Sequence, residues 1–244
     1  MTSKRRPSFF LVLVLAGAAL SARPAQAASK GELSLRADPK YVSPNGDGFQ
    51  DQAFLYPVVQ ADAPVTRWRL DIAELGGHRA ARLTGATLPG LITWSALDKK
   101  GEAALDGAYN ARLDVWGKGL HLSTQETFFI DTIPPDVGLV TSTNSIDASS
   151  STGVDFITRA DDASPIDRWQ IQILDDTGRT VQLFWSTGPA QNVTWDGKER
   201  GTGVAVPPGR YHAAFQAWDA AGNESESVFV DLTASATARQ EMER

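Results

Sequence analysis

Cysteine is absent from all 244 residues. No disulfide can brace the fold, and no thiolate can act as a nucleophile or metal ligand. Histidine is scarce: His78, His121 and His212 lie far apart in unrelated contexts. The chain has no His-Glu-x-x-His pair, no Gly-x-Ser-x-Gly elbow and no glycine-rich phosphate loop leading into a helix. With those signatures missing, nothing marks a catalytic residue, and the chain is expected not to be an enzyme. Positive charge is in deficit, with 23 Lys and Arg against 29 Asp and Glu, a net charge of −6. No apolar run is long enough to cross a bilayer. The longest, Phe9 to Leu20, falls well short of the roughly 20 residues a membrane helix needs.

That run nevertheless has a use. Lys4, Arg5 and Arg6 precede it, and Ala25-Gln26-Ala27 follows with the small-x-small pattern of a processing site. Basic head, short apolar stretch and small-residue end together read as a secretory signal over residues 1–27. Arg5-Arg6 is followed by Pro7 and Ser8, a poor fit to the twin-arginine pattern, so the general export route is expected. No cysteine stands after the run to carry a lipid. Four of the basic residues (Lys4, Arg5, Arg6 and Arg23) belong to this leader and no acidic one does, so the mature charge is near −10. Nucleic acid and anionic membranes attract basic surfaces and are not expected partners. The mature chain is expected in the periplasm or outside the cell, and its charge is compatible with cation binding.

The mature chain is a duplication. Arg67-Trp68-Arg69-Leu70-Asp71-Ile72 returns as Arg168-Trp169-Gln170-Ile171-Gln172-Ile173, and Ile92-Thr93-Trp94 as Val193-Thr194-Trp195. Gly107-Ala108-Tyr109 returns as Gly209-Arg210-Tyr211, Trp116 as Trp218, and Phe129-Ile130-Asp131 as Phe229-Val230-Asp231. The blocks keep their order while the offset drifts by single residues, as loop insertions produce. Trp68, Leu70 and Ile72 alternate with polar neighbours, as do Trp169, Ile171 and Ile173, and Tyr211, Ala213, Phe215 and Ala217. Period-two alternation predicts strands with one face in a core. Turn formers such as Gly76-Gly77, Asp175 to Gly178 and Pro207-Pro208-Gly209 separate them.

The sequence therefore predicts an all-β chain of two tandem immunoglobulin-like antiparallel β-sandwiches over 33–133 and 137–233, then a flexible polar tail over 234–244. Ile133-Pro134-Pro135 is the joint between them. Two prolines stiffen it, so the sandwiches are expected end to end with limited freedom.

Val193 to Lys198, followed by Gly203 to Tyr211, resembles the Ig-like domain of the flagellar hook-capping (FlgD-type) family, in which a TWDG…G…PPGxY stretch joins two core strands. The first copy keeps Thr93-Trp94 and Gly107-Ala108-Tyr109 but has Ser95-Ala96 in place of Asp-Gly. Tyr41 to Asp51 resembles the FSPNGDGxxD opening of related repeats in secreted and cell-surface bacterial proteins. Asp219-Ala220-Ala221-Gly222-Asn223 resembles the DxAGN turn of extracellular sandwich repeats. These resemblances imply a structural or adhesive module; the hook-capping proteins themselves lack a leader of this kind.

Two features carry candidate chemistry. Asn45, Asp47 and Asp51 place side-chain oxygens within seven residues, and Gly46 and Gly48 let the backbone bend around them. Calcium takes six to eight oxygens, so a calcium-bound turn is one reading and a plain Asn-Gly/Asp-Gly turn the other. The matching part of the second copy, Ser145 to Thr152, lacks the pattern. Phe184-Trp185 has no aromatic counterpart in the first copy and is a candidate contact patch. Two functions fit: an exported structural or binding module that engages an envelope or cell-surface protein through loops or a sheet edge, or an accessory carbohydrate- or polymer-binding pair of a secreted hydrolase.

Overall fold

The computed structural model describes residues 30–98, 100–147 and 152–235. The expected leader at 1–27, nearly all of the expected tail, and part of Ser145 to Thr152 lie outside the described residues. Within them every regular element is a strand and there is no helix.

In the first half, β1 (Gly31–Ala37), β3 (Ala53–Ala61) and β6 (Ile92–Trp94) form one sheet in the order β1-β3-β6. The facing sheet has the order β2-β8-β7-β4-β5, from β2 (Tyr41–Val42), β4 (Val65–Glu74), β5 (Arg79–Gly85), β7 (Gly107–Gly117) and β8 (Leu120–Ile130). The second half repeats this strand for strand. Its small sheet has the order β9-β11-β14, from β9 (Asp136–Thr141), β11 (Val154–Asp161) and β14 (Val193–Trp195). Its large sheet has the order β10-β16-β15-β12-β13, from β10 (Ser145–Asp147), β12 (Ile166–Asp175), β13 (Thr180–Thr187), β15 (Gly209–Asp219) and β16 (Val228–Ser235). All pairings are antiparallel except β2 with β8 and β10 with β16.

The alternating residues fill two separate cores. Trp68, Leu70, Ile72, Tyr109, Ala111 and Leu113 meet Leu55, Ile92 and Trp94 from the facing sheet. Trp169, Ile171, Ile173, Tyr211, Ala213 and Phe215 meet Phe156 and Trp195 in the same way. The repeated tryptophans occupy matching strands and make matching polar contacts. Trp94 Nε1 donates to the Leu97 carbonyl at 2.9 Å, and Trp195 Nε1 to that of Lys198 at 2.9 Å. Each core tyrosine ties its strand to the turn four residues upstream: Tyr109 Oη donates to the Leu105 carbonyl and Tyr211 Oη to that of Pro207. An aromatic ring fills the core while its polar end stays bonded. Ala96, which stands where the second copy has Gly197, takes the same left-handed backbone, with φ of 53° against 75°. The first copy thus keeps the turn without the glycine that makes this conformation easy.

Trp116 and Trp218 keep the alternation of their strands, each standing one residue past an inward neighbour, Val115 and Ala217. Register shifts between Val65 and Arg67, and between Ile166 and Arg168, mark bulges opposite them. Both rings face outward beneath an arginine, Arg67 at 4.2 Å and Arg168 at 4.5 Å from the ring centre.

The β12–β13 turn is held by one carboxylate. Asp175 accepts from the Thr177 hydroxyl at 2.6 Å and from the Thr177 and Arg179 backbone N–H groups at 3.0 Å. These bonds favour the ionised form. The Thr177 hydroxyl contributes most, and the carboxyl is pulled down to about 2 from its ordinary 3.8. The stabilisation from Asp175 is therefore fully present above about pH 4 and is lost as pH falls through about 2. Thr177→Ala is expected to return the Asp175 midpoint toward 3.8 in an NMR titration of the side-chain carboxyl carbon. A wild-type midpoint already at the ordinary value contradicts this account.

Candidate functional site at the joint between the sandwiches

Strand direction decides which loops meet at the joint. The chain leaves the first sandwich at the end of β8. Because β2 runs parallel to β8, the loop after β2, residues 43–51, lies at the same pole. In the second sandwich, β11 and β15 run antiparallel to neighbours that start at the entry pole. The loops after them, residues 162–165 and 220–227, therefore face the first sandwich.

The loop at 43–51 folds around its own polar groups. Asp51 accepts from Gly46 N–H at 2.7 Å and Gly48 N–H at 2.9 Å, one per carboxylate oxygen. Asn45 Oδ1 accepts from Asp47 N–H, Asp47 Oδ1 from Phe49 N–H, and Asp47 Oδ2 from Asn45 Nδ2. All five side-chain oxygens of the sequence-derived calcium candidate thus bind N–H groups within the loop. Gly46 and Gly48 have φ of 83° and 90°, which makes the tight path possible.

The closed loop docks on the second sandwich. Phe49 lies over Gly222, so close that a β-carbon there would come within 2.5 Å of the ring. Asn223, 3% exposed, is the centre of the joint. Its Nδ2 donates to the Asp131 carbonyl at 2.9 Å and to Asp219 Oδ2 at 2.7 Å, and its Oδ1 accepts from the Ser43 hydroxyl at 2.6 Å. The two motifs that resembled repeats elsewhere, NGDG and DxAGN, are therefore the two halves of one contact. Sequence reasoning treated both as local turns and did not single out Asn223 or Asp219. Counting strand directions in each repeat places both motifs at the joint.

Beside Asn223 lies an acidic cluster. Asp131, Asp162 and Asp219 each present one oxygen within 4.8 Å of the others. Asp131 and Asp219 are buried. Burial, then a hydrogen bond with the Asp131 carboxylate and the repulsion of Asp131 and Asp219, pushes Asp162 up to about 6 against the pull of the Ser164 N–H. Burial also raises Asp219, against the pull of the Asn223 donors. Next to the cluster a cavity of about 320 Å³ opens over the stacked rings of Tyr41 and Phe129, with Ile133 and Ala163 on its walls.

The second sequence-derived candidate is split by the sheet. Ile171 pairs with Phe184, which turns inward and packs on the second core. Gln170 pairs with Trp185, which turns outward and is 63% exposed. Trp185 stands on the edge strand β13, beside Gln170 and then Gln216 on neighbouring strands. The equivalent row of the first sandwich is Thr84, Arg69 and Asp114, with Arg69 and Asp114 bonded at 3.0 Å. One copy thus carries ion pairs on this face, and the other carries amides and an aromatic ring.

No family model matches the chain, and no curated protein matches it in sequence. Solved structures resemble it in shape. Fibronectin(III)-like modules of CbhA from Clostridium thermocellum share 15% identity, covering 86% of this chain and 98% of that one, with a TM-score of 0.46. A tetra-tandem repeat from the extending region of a large adhesion protein shares 18% identity over 86% of this chain and 50% of that one, with a TM-score of 0.38. The FN1–FN3 domains of chicken CNTN1 share 14% identity over 80% and 68%, with a TM-score of 0.35. By its own strand order the chain is a tandem pair of immunoglobulin-like antiparallel β-sandwiches. Such a fold hosts many functions, so function has to be argued from the joint and the surfaces. Among the described residues no helix is long and apolar enough to cross a membrane.

Proposed function

We propose that this chain is an exported, non-catalytic structural and binding module of the bacterial envelope, working in the periplasm or at the cell surface. It holds two sandwiches in a fixed relation and engages a protein partner through loops or an open sheet edge. The observation that carries this reading is the built joint: Asn223 of one sandwich bonds Ser43 and the Asp131 carbonyl of the other. A flexible linker needs no such contacts, whereas a spacer that presents binding surfaces at a set distance does. Export rests on the basic, apolar and Ala25-Gln26-Ala27 pattern of the leader. The hook-capping-type stretch at Val193 to Tyr211 and the surface-repeat motifs at both sides of the joint support the same class of module.

One observation favours a second reading, an accessory domain that binds a neutral polymer. Trp185 and the row of Gln170 and Gln216 offer an exposed ring beside uncharged amides, a surface suited to a polysaccharide. Two measurements separate the readings. Photo-crosslinkers placed on the edge strands β5 and β13 in the producing cell are expected to trap a discrete envelope protein. Retardation of the mature chain in neutral polysaccharide gels, lost in Trp185→Ala, supports the polymer reading instead. Neither a crosslink nor retardation would remove both.

A further inference from the structure

The acidic cluster at the joint combines charge with an unanswered buried oxygen. Asp131 comes from the end of the first sandwich, Asp162 from the loop before β12 and Asp219 from the end of β15. None of the ion pairs among the described residues involves these three carboxylates. Hydrogen bonds account for part of the cluster. Asn223 donates twice to Asp219, and Ser164 N–H donates to Asp162 at 2.9 Å. Asp131 Oδ1 accepts from Ile133 N–H at 3.2 Å. Asp131 Oδ2 is different: it is buried, in a residue only 4% exposed, and no N–H or hydroxyl group donates to it. The Asp162 carboxyl lies within hydrogen-bonding reach of Asp131, a contact that needs a proton or a cation between the two. A buried carboxylate oxygen is normally bonded, paired or bound to a metal.

We propose that Asp131, Asp162 and Asp219 form a divalent cation site of the calcium class, and that the ion fastens one sandwich to the other. The donor set is all oxygen, without imidazole or thiolate, which selects hard cations over zinc or copper. Three carboxylates supply up to six oxygens, and water completes the six to eight that calcium takes. Calcium is favoured over magnesium because the ligands come from three separate backbone segments across a joint. Magnesium demands near-ideal octahedral geometry and sheds its waters reluctantly. The site is distinct from the turn at Asn45, Asp47 and Asp51. The inference deepens the spacer reading and rests on it for the calcium available outside the cytoplasm.

The test uses the mature chain, residues 28–244, in chelator and then with several millimolar calcium or magnesium. Calcium is expected to bind in titration calorimetry with Kd of about 10⁻⁴–10⁻³ M. It should raise the unfolding midpoint by a few degrees, with a smaller rise for magnesium. Asp162→Asn keeps the side-chain shape and removes a charge. It is expected to unfold in chelator no earlier than wild type and to lose the calcium response; Asp131→Asn, read the same way, guards against an effect of either change on folding. Asp47→Asn should keep the full response. A wild-type chain with no heat and no shift overturns the proposal, as does a response that survives both cluster variants. If crosslinking to a partner persists in chelator, the spacer reading stands whatever becomes of the ion.

Discussion

Replacing Trp195 by alanine is expected to lower the unfolding free energy of the second sandwich by about 3–5 kcal/mol, the range for deleting a large aromatic side chain from a core. Trp195 has no exposed surface. Its ring meets Tyr211 edge-on with centres 5.8 Å apart, and its Nε1 donor is used by Lys198. It sits on a three-residue strand paired only to β11, so little backbone structure remains there without it. Truncation leaves a cavity between the sheets and frees the Lys198 carbonyl. Against a typical domain stability of about 5–15 kcal/mol, the loss is large enough to bring the second sandwich close to unfolding at ambient temperature. Urea titration followed by amide resonances of each sandwich should show the second sandwich unfolding at lower urea than in wild type and ahead of the first, which then loses only what the joint contributes to it. A loss below about 1 kcal/mol would falsify the core role.

Asn223→Ala is expected to uncouple the sandwiches. The substitution strands the Asp131 carbonyl, the Ser43 hydroxyl and Asp219 Oδ2 in a buried setting. Each orphaned polar group costs about 1–3 kcal/mol, and solvent entering the loosened joint recovers part of that. A combined loss of roughly 2–5 kcal/mol follows, concentrated in the contact and not in either core. The wild-type chain should therefore unfold with its two halves linked, and the variant in two separate steps. A cycle with Ser43→Ala measures the shared contact directly, since residues in one hydrogen-bond network are not additive. If the variant keeps the wild-type midpoint and linkage, Asn223 does not hold the joint.

The sequence reveals the fold well because strand alternation and duplication are both local patterns repeated in order. Trp68 and Trp169, or Tyr109 and Tyr211, identify themselves by recurrence and by phase. The pair Phe184-Trp185 illustrates the limit of reading neighbours as a patch. Adjacent residues in a strand point to opposite faces, so one ring enters the core and the other reaches solvent. The joint was harder to see. Asn45, Asp47 and Asp51 draw attention because they are close in sequence, and that closeness lets them satisfy one another's backbone. Asp131, Asp162 and Asp219 are dispersed along the chain, and only the direction of β8, β11 and β15 brings them together. Asn223 reads as a turn residue until the partner across the joint is known.

The two short parallel pairings have a mechanical meaning. β2 lies near the start of the first sandwich and β8 at its end, with Tyr41 beside Phe129 and Val42 beside Ile130. β10 and β16 repeat the arrangement, with Ser145 beside Thr233. When the chain is pulled from its two ends, strands that run parallel slide past each other in shear. Their hydrogen bonds are loaded together, whereas a hairpin under tension opens one bond at a time. Rupture under load is governed by the rate of unfolding and not by equilibrium stability, and these few bonds are expected to set the force each sandwich withstands. In the first sandwich the last of them runs from Asp131 N–H to the Val42 carbonyl at 3.0 Å. Asp131 is also the residue that enters the joint, so tension leaving one clasp passes straight into the contact that links the two sandwiches.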